Sequence, residues 1–180
     1  MFKKIIVALL SIGIMLTPSV AIASTHAKSL QNLGMNEVMF AQMMIPHHDQ
    51  AVSMSETALK KSRNQGILKL SRQIKSLQSS EKSQLTYWLK ATGSSMTMDH
   101  DMSMSGMLTV KELASLKRLT GTQFDRTFLQ LMIKHHQGAL EMLDLISDSK
   151  NMEAKALAKA INSAQSKEIT SMKLLLKKLK

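Results

Sequence analysis

The stretch Phe40-Ala-Gln-Met-Met44-Ile-Pro-His47-His48-Asp-Gln-Ala51-Val-Ser-Met54 returns 88 residues later, without a gap, as Phe128-Leu-Gln-Leu-Met132-Ile-Lys-His135-His136-Gln-Gly-Ala139-Leu-Glu-Met142. Self-similarity at a fixed offset marks a duplicated supersecondary unit. The match reaches back to Glu37 and Asp125. It then loses one residue and resumes at an offset of 87, pairing Ile74, Gln78 and Glu81 with Ile161, Gln165 and Glu168. Each unit therefore holds one helix, a turn and a second helix. At the helical step of about 100° per residue, Phe40, Met44, His47, His48, Ala51, Met54 and Ala58 share one face. Phe128, Met132, His135, His136, Ala139, Met142 and Ile146 repeat it.

Working outward, the periodicity predicts helices over 35–64, 67–91, 121–148 and 151–179. Asn64-Gln65-Gly66 and Ser149-Lys150-Asn151 supply the two turns. Pro46 is expected to bend the first helix, because its ring removes a hydrogen bond and crowds the preceding turn. Thr109 and Glu112 have capping-box spacing, which predicts a short helix over 110–119. Two hairpins with continuous apolar faces pack into a four-helix bundle, so the fold class is all-α. The domain spans 36–180, with hairpins at 36–91 and 121–179 joined by a linker over 92–108. That linker spans about 56 Å when extended, against about 45 Å for a 30-residue helix. It is long enough either to turn back directly or to run the length of the bundle. Both His pairs fall near the middle of their helices in either case.

Adjacent helical residues point about 100° apart, so His47 and His48 flank the midline of the buried stripe. Met44 precedes them by one turn and Met54 follows two turns on; Met132, His135, His136 and Met142 reproduce the spacing. A single His on an apolar face is ordinarily a core histidine with a bonded ring, and a Met stripe is ordinarily core filling. Two His-His pairs need four sets of buried polar partners, which makes that reading costly. Imidazole and thioether together suit copper-type sites. Glu81, Glu168, Glu37 and Asp125 read as partners holding the imidazole rings, or as surface charges.

The linker carries a second constellation, Met96, Met98, His100, Met102, Met104 and Met107 among Ser, Asp, Thr and Gly. Its composition predicts an exposed loop, in which five methionines gain no packing. Consumption by oxidants would be one use for them. Thioether is a soft ligand that selects Cu(I), needs no deprotonation and forms no disulfide. The chain has 16 Met and no Cys, so soft-metal chemistry must come from Met and His.

The N-terminus reads as an export leader over residues 1–23: Lys3 and Lys4, an apolar run from Ile5 to Leu16, a break at Thr17-Pro18, and Ala21-Ile22-Ala23 before the cleavage point. The apolar run falls short of the roughly 20 residues a spanning helix needs. Residues 24–35 form an N-terminal segment, and the mature protein is expected in the periplasm or outside the cell, without stable membrane insertion. The leader carries two of the 24 basic residues and none of the 13 acidic ones, so the mature chain stays strongly basic. Those bases are spread along helix faces, as at Lys167, Lys173, Lys177 and Lys178, which is the pattern of solvated helices. One Trp and one Tyr give too few stacking platforms for single-stranded nucleic acid.

Three functional classes fit unequally. A metal binder uses both constellations. A metal oxidase of the di-iron kind needs Glu-x-x-His on two helices, and that tetrapeptide does not occur. A basic helical module for a membrane or a partner leaves the linker methionines without a role.

From Asn36 to Leu176 the chain resembles the bacterial family known as domain of unknown function 305, which includes copper-binding members. The stretches that carry the resemblance are Met44-Ile-Pro-His-His48, the run from Gly106 to Leu113, and Phe124-Asp125 through Phe128-Leu129 to Met132-Ile-Lys-His-His136. The resemblance implies a ferritin-like bundle, an exported location, and copper(I) or silver(I) binding in copper tolerance. It places the ligand role on Met44, His47, His48, Met132, His135 and His136, with Met54 and Met142 beside them. Soft metal ions, and copper-efflux or copper-carrier proteins, are the partners this implies. Lys134 stands where the first unit has Pro46, which should leave the third long helix straighter.

Overall fold

The computed structural model describes residues 32–98 and 104–179; residues 1–31, where the sequence predicts a leader, and the centre of the linker with His100 and Met102 lie outside the described residues. The chain forms α1 (Met35–Lys61), α2 (Gln65–Ala91), α3 (Val110–Arg118), α4 (Gly121–Met142) and α5 (Met152–Lys178), with a 3₁₀ turn at Leu143–Leu145 after α4. No strand occurs among the described residues, and the four long helices form the all-α bundle of two hairpins that the repeat predicts.

The hairpin turns are copies of one another. Asn64 caps α2 by accepting from the Gly66 and Ile67 amides. Asn151 caps α5 by accepting from Glu153 and Ala154. In each turn a serine two residues earlier, Ser62 or Ser149, accepts from the Asn amide. These caps correct two helix ends: α1 stops at Lys61 because Asn64 belongs to the following helix, and α4 stops at Met142 rather than continuing to 148. The 3₁₀ turn also accounts for the residue missing from the second unit. Three 3₁₀ residues rise about as far as four α-helical ones, at roughly 2.0 Å against roughly 1.5 Å each. Pro46 sits inside α1 without interrupting it.

The core is divided in two. The lower half joins the start of α1 (Phe40, Met44), the end of α2 (Leu85, Trp88), the end of α4 (Ala139, Met142) and the start of α5 (Leu157, Ile161). The upper half joins the opposite ends of the same helices, including Met54, Ile67, Phe128 and Met172. The direction of the four helices is therefore up, down, down, up. Because α2 and α4 run the same way, the linker must cross the whole height of the bundle. The crossover follows α1 from bottom to top. Gln42 donates to the Ser95 and Thr97 carbonyls at 2.9 and 3.2 Å, Gln50 brackets the Leu108 backbone at 2.7 and 3.0 Å, and Lys61 donates to Leu119 O at 3.0 Å. Met98 and Met104 pack on the lower core, while Leu108 and Leu116 enter the upper one. At its described residues the linker is thus a fastened strap rather than the exposed loop its composition suggests. Exposure fits Met96, whereas Met107 is half-buried.

Candidate metal centre

Between the two apolar halves lies a layer of buried polar side chains: His47, His48, His135, His136, Gln78, Gln165 and Glu81, with the half-buried Glu168. The duplication generates this layer. His47 and His135, equivalent in the two units, meet across the α1–α4 contact with ring centroids 3.7 Å apart and planes tilted by 33°. On the flanks, His48 Nε2 lies 2.9 Å from Glu81 Oε2, and His136 Nε2 donates to Glu168 Oε2 at 2.8 Å. The first contact is off the line of a hydrogen bond.

The strap breaks this symmetry. His47 Nε2 donates to the Ser105 carbonyl at 3.2 Å. Among the described residues no strap carbonyl bonds His135, whose two ring nitrogens have no hydrogen-bond partner. Nδ1 of His47, His48 and His136 is likewise buried and unpartnered. A ring whose Nε2–H is held by a carbonyl or carboxylate presents a lone pair at Nδ1. That is how proteins orient an imidazole toward a metal. A buried polar nitrogen left without a partner carries a cost of about 1–3 kcal/mol; Nδ1 is so left in all four rings, and in His47 and His136 the held Nε2–H makes it the lone pair.

Electrostatics disfavour protonation of the two central rings, His47 and His135. Burial, followed by the charge of neighbouring His48, lowers the His47 pKa from 6.5 to about 3. Burial, then His47 and the other two imidazoles, holds His135 well below its ordinary value. Neutral imidazole is the ligating form.

Met44 and Met132 lie one turn from the His pairs, on opposite sides of the layer, in the lower and upper core halves respectively. Met54 and Met142 are about 10 Å of helix rise away, too far to share an ion with the imidazoles. Of the four acidic residues proposed as ring partners, Glu81 and Glu168 reach the histidines. Glu37 instead accepts from the Gly34 amide at 2.8 Å and from Ser149, and Asp125 is buried with Oδ1 unpartnered. Both lie about 15 Å of helix rise from the layer. Among the described residues, no three His, Cys, Asp or Glu side chains converge so as to hold an ion. A site here therefore needs thioether sulfur or a rotation of the rings. The Gln78 and Gln165 amides, buried, unpartnered and equivalent by the repeat, were not singled out from the sequence. Their signal was there, in the pairing of two polar residues on apolar faces.

Between α2 and α5, which touch least of the neighbouring helices, a groove of about 790 Å³ reaches Glu168 from outside. No helix among the described residues is long and apolar enough to cross a membrane.

The family model for the domain of unknown function DUF305 matches residues 37–176. No curated protein matches the chain. Among solved structures, a DUF305 fragment from Deinococcus radiodurans shares 32% identity with a TM-score of 0.74, covering 81% of this chain and 98% of that one. A DUF305 protein from Streptomyces coelicolor, provisionally described as secreted, shares 28% with a TM-score of 0.76, covering 79% and 93%. CopM in its Cu(I)-bound form shares 29% with a TM-score of 0.67, covering 79% and 96%, and has been solved with silver and with Cu(II) as well.

Proposed function

The chain belongs to the DUF305 family, and on that footing we propose that it is an exported, non-enzymatic protein that binds Cu(I) and Ag(I), sequestering or carrying the metal in copper tolerance. The observation that carries the reading is the layer of four buried imidazoles, each with Nδ1 left without a partner. Zinc also accepts imidazole, so it is thioether sulfur, a poor ligand for zinc and hard cations, that would favour a soft ion here. This layer offers imidazole, with the Met44 and Met132 thioethers one turn away, a donor set suited to copper. The Ser105 carbonyl and the Glu168 carboxylate hold two of the rings from outside. Similarity to CopM, solved with Cu(I), Cu(II) and silver, supports the same metals. Export is supported by the leader at residues 1–23, and hand-over to a copper-efflux or copper-carrier protein would complete the role. The absence of Glu-x-x-His weighs against an oxidase centre.

X-ray absorption at the copper edge of the Cu(I)-loaded protein tests the reading. Nitrogen near about 2.0 Å together with sulfur scatterers is the expected shell. A shell of oxygen alone, or failure to load, would overturn it.

A further inference from the structure

Met39 and Met43 stand one turn apart on α1, and together with Met142 from the end of α4 they line a single cavity of about 300 Å³. Ser105 of the strap, Glu141 and Asp144 form other parts of its wall. Met43 and Met142 are almost fully buried, at 6% and 5% exposure, and belong to the lower core at the floor of this cavity, which opens to solvent. Met98 and Met104 of the strap pack against the lower core, to which Met43 and Met142 belong.

We propose that Met39, Met43 and Met142 form a second soft-cation site, for Cu(I) or Ag(I), separate from the histidine layer. This rests on the metal-binding reading above. The cavity is lined by three thioethers without imidazole or thiolate, a donor set that soft monovalent ions accept and zinc does not. Glu141 and Asp144 place negative charge at its wall, which draws cations toward it. The site also gives Met142 partners that the histidine layer, two turns away, does not provide. Ser105 joins the two centres: its carbonyl holds His47, and its residue lines the thioether cavity.

The probe is Ag(I), which does not change oxidation state during the measurement, added to the full mature chain with ¹³C-labelled methionine methyls. The Met39, Met43 and Met142 methyl signals are expected to shift together in one saturable step. In Met39→Leu/Met43→Leu, a volume-conserving change that keeps the packing, one equivalent of bound Ag(I) should be lost, the Met142 methyl should no longer shift, and silver uptake by the histidine layer should persist. Unchanged stoichiometry in the double variant with Met142 still shifting would overturn the site. So would a wild-type protein that binds silver while these three methyls stay still, an outcome that needs no variant to fold. A wild-type chain that binds no Ag(I) at all would instead overturn the metal-binding reading, and this site with it.

Discussion

Gly138 occupies the position in the second unit that Gln50 occupies in the first, and the strap depends on the difference between them. Gln50 brackets the Leu108 backbone with its amide, whereas Gly138 leaves room for Ser105 and Gly106 to pass directly over α4. A Cβ at Gly138 would fall 2.2 Å from Ser105 O and 2.4 Å from Gly106 N, both backbone atoms. Gly106 is the matching concession on the strap. Its φ is +77°, and a Cβ there would lie 2.8 Å from the His135 carbonyl. Divergence of the two copies at this position converts a symmetric bundle into one with a strap over its histidines.

Gly138→Ala is accordingly expected to destabilise the protein by about 1–3 kcal/mol through overpacking, despite the better helix propensity of Ala. Thermal unfolding of the metal-free protein checks this. An unchanged or raised midpoint would mean that the strap does not rest on α4.

The linker methionines should separate by packing. Met104→Ser removes an apolar side chain from the edge of the lower core and should cost about 1–2 kcal/mol. Met96→Ser, at a position 42% exposed, should change stability by less than about 0.5 kcal/mol. Denaturant midpoints of the two metal-free variants provide the comparison, and equal effects would contradict the fastened strap.

Acid should destabilise the metal-free bundle before its carboxylates begin to titrate. In the unfolded chain His47 and His135 take up a proton near pH 6.5, while burial and mutual repulsion prevent this in the fold. A depressed folded pKa gives stability that is complete above pH 6.5. It is lost as the pH falls, for His47 down to about 3. The slope is up to about 1.4 kcal/mol per pH unit for each such histidine. Urea unfolding at pH 7.5 and pH 5 should show the loss, whereas a flat midpoint would mean that these rings are charged or solvated in the fold.

Glu168 holds His136 by its Nε2 hydrogen, so Glu168→Gln should leave the fold intact and weaken metal binding by roughly 10–100-fold. Glu56→Gln is the control, since Glu56 pairs with the exposed Lys75 on the surface, away from the histidine layer. Equal Cu(I) affinities for the two variants would remove Glu168 from the site.

The bundle and its central histidine layer were legible because duplication repeats Phe40, Met44, His47 and His48 at one helical face, and a repeated face can only pack inward. Glu81 and Glu168 were legible as candidate ring partners because the repeat pairs them on the second helix of each hairpin. Two things were not. The strap's course depends on Gln50, Gly138 and Gly106, whose fit emerges only when α1 and α4 are side by side. The sharing of one cavity by Met39, Met43 and Met142 depends on α4 ending at Met142, and Asn151 capping and the 3₁₀ turn fix that end rather than hydrophobic periodicity. Glu37 and Asp125 misled for a related reason: both align in the repeat, but they stand nearly three turns from the histidines.

The central claim is that this layer and its thioethers select a soft monovalent ion. Competition titration of the purified mature chain with Cu(I), Cu(II) and Zn(II) at neutral pH, in the intact protein and in His47→Gln/His135→Gln, tests it most directly. The expected result is preference for Cu(I) over Zn(II) in the intact chain, with Cu(I) binding weakened in the variant. Zinc bound as tightly as Cu(I), or a variant that binds Cu(I) like the intact chain, would contradict the account.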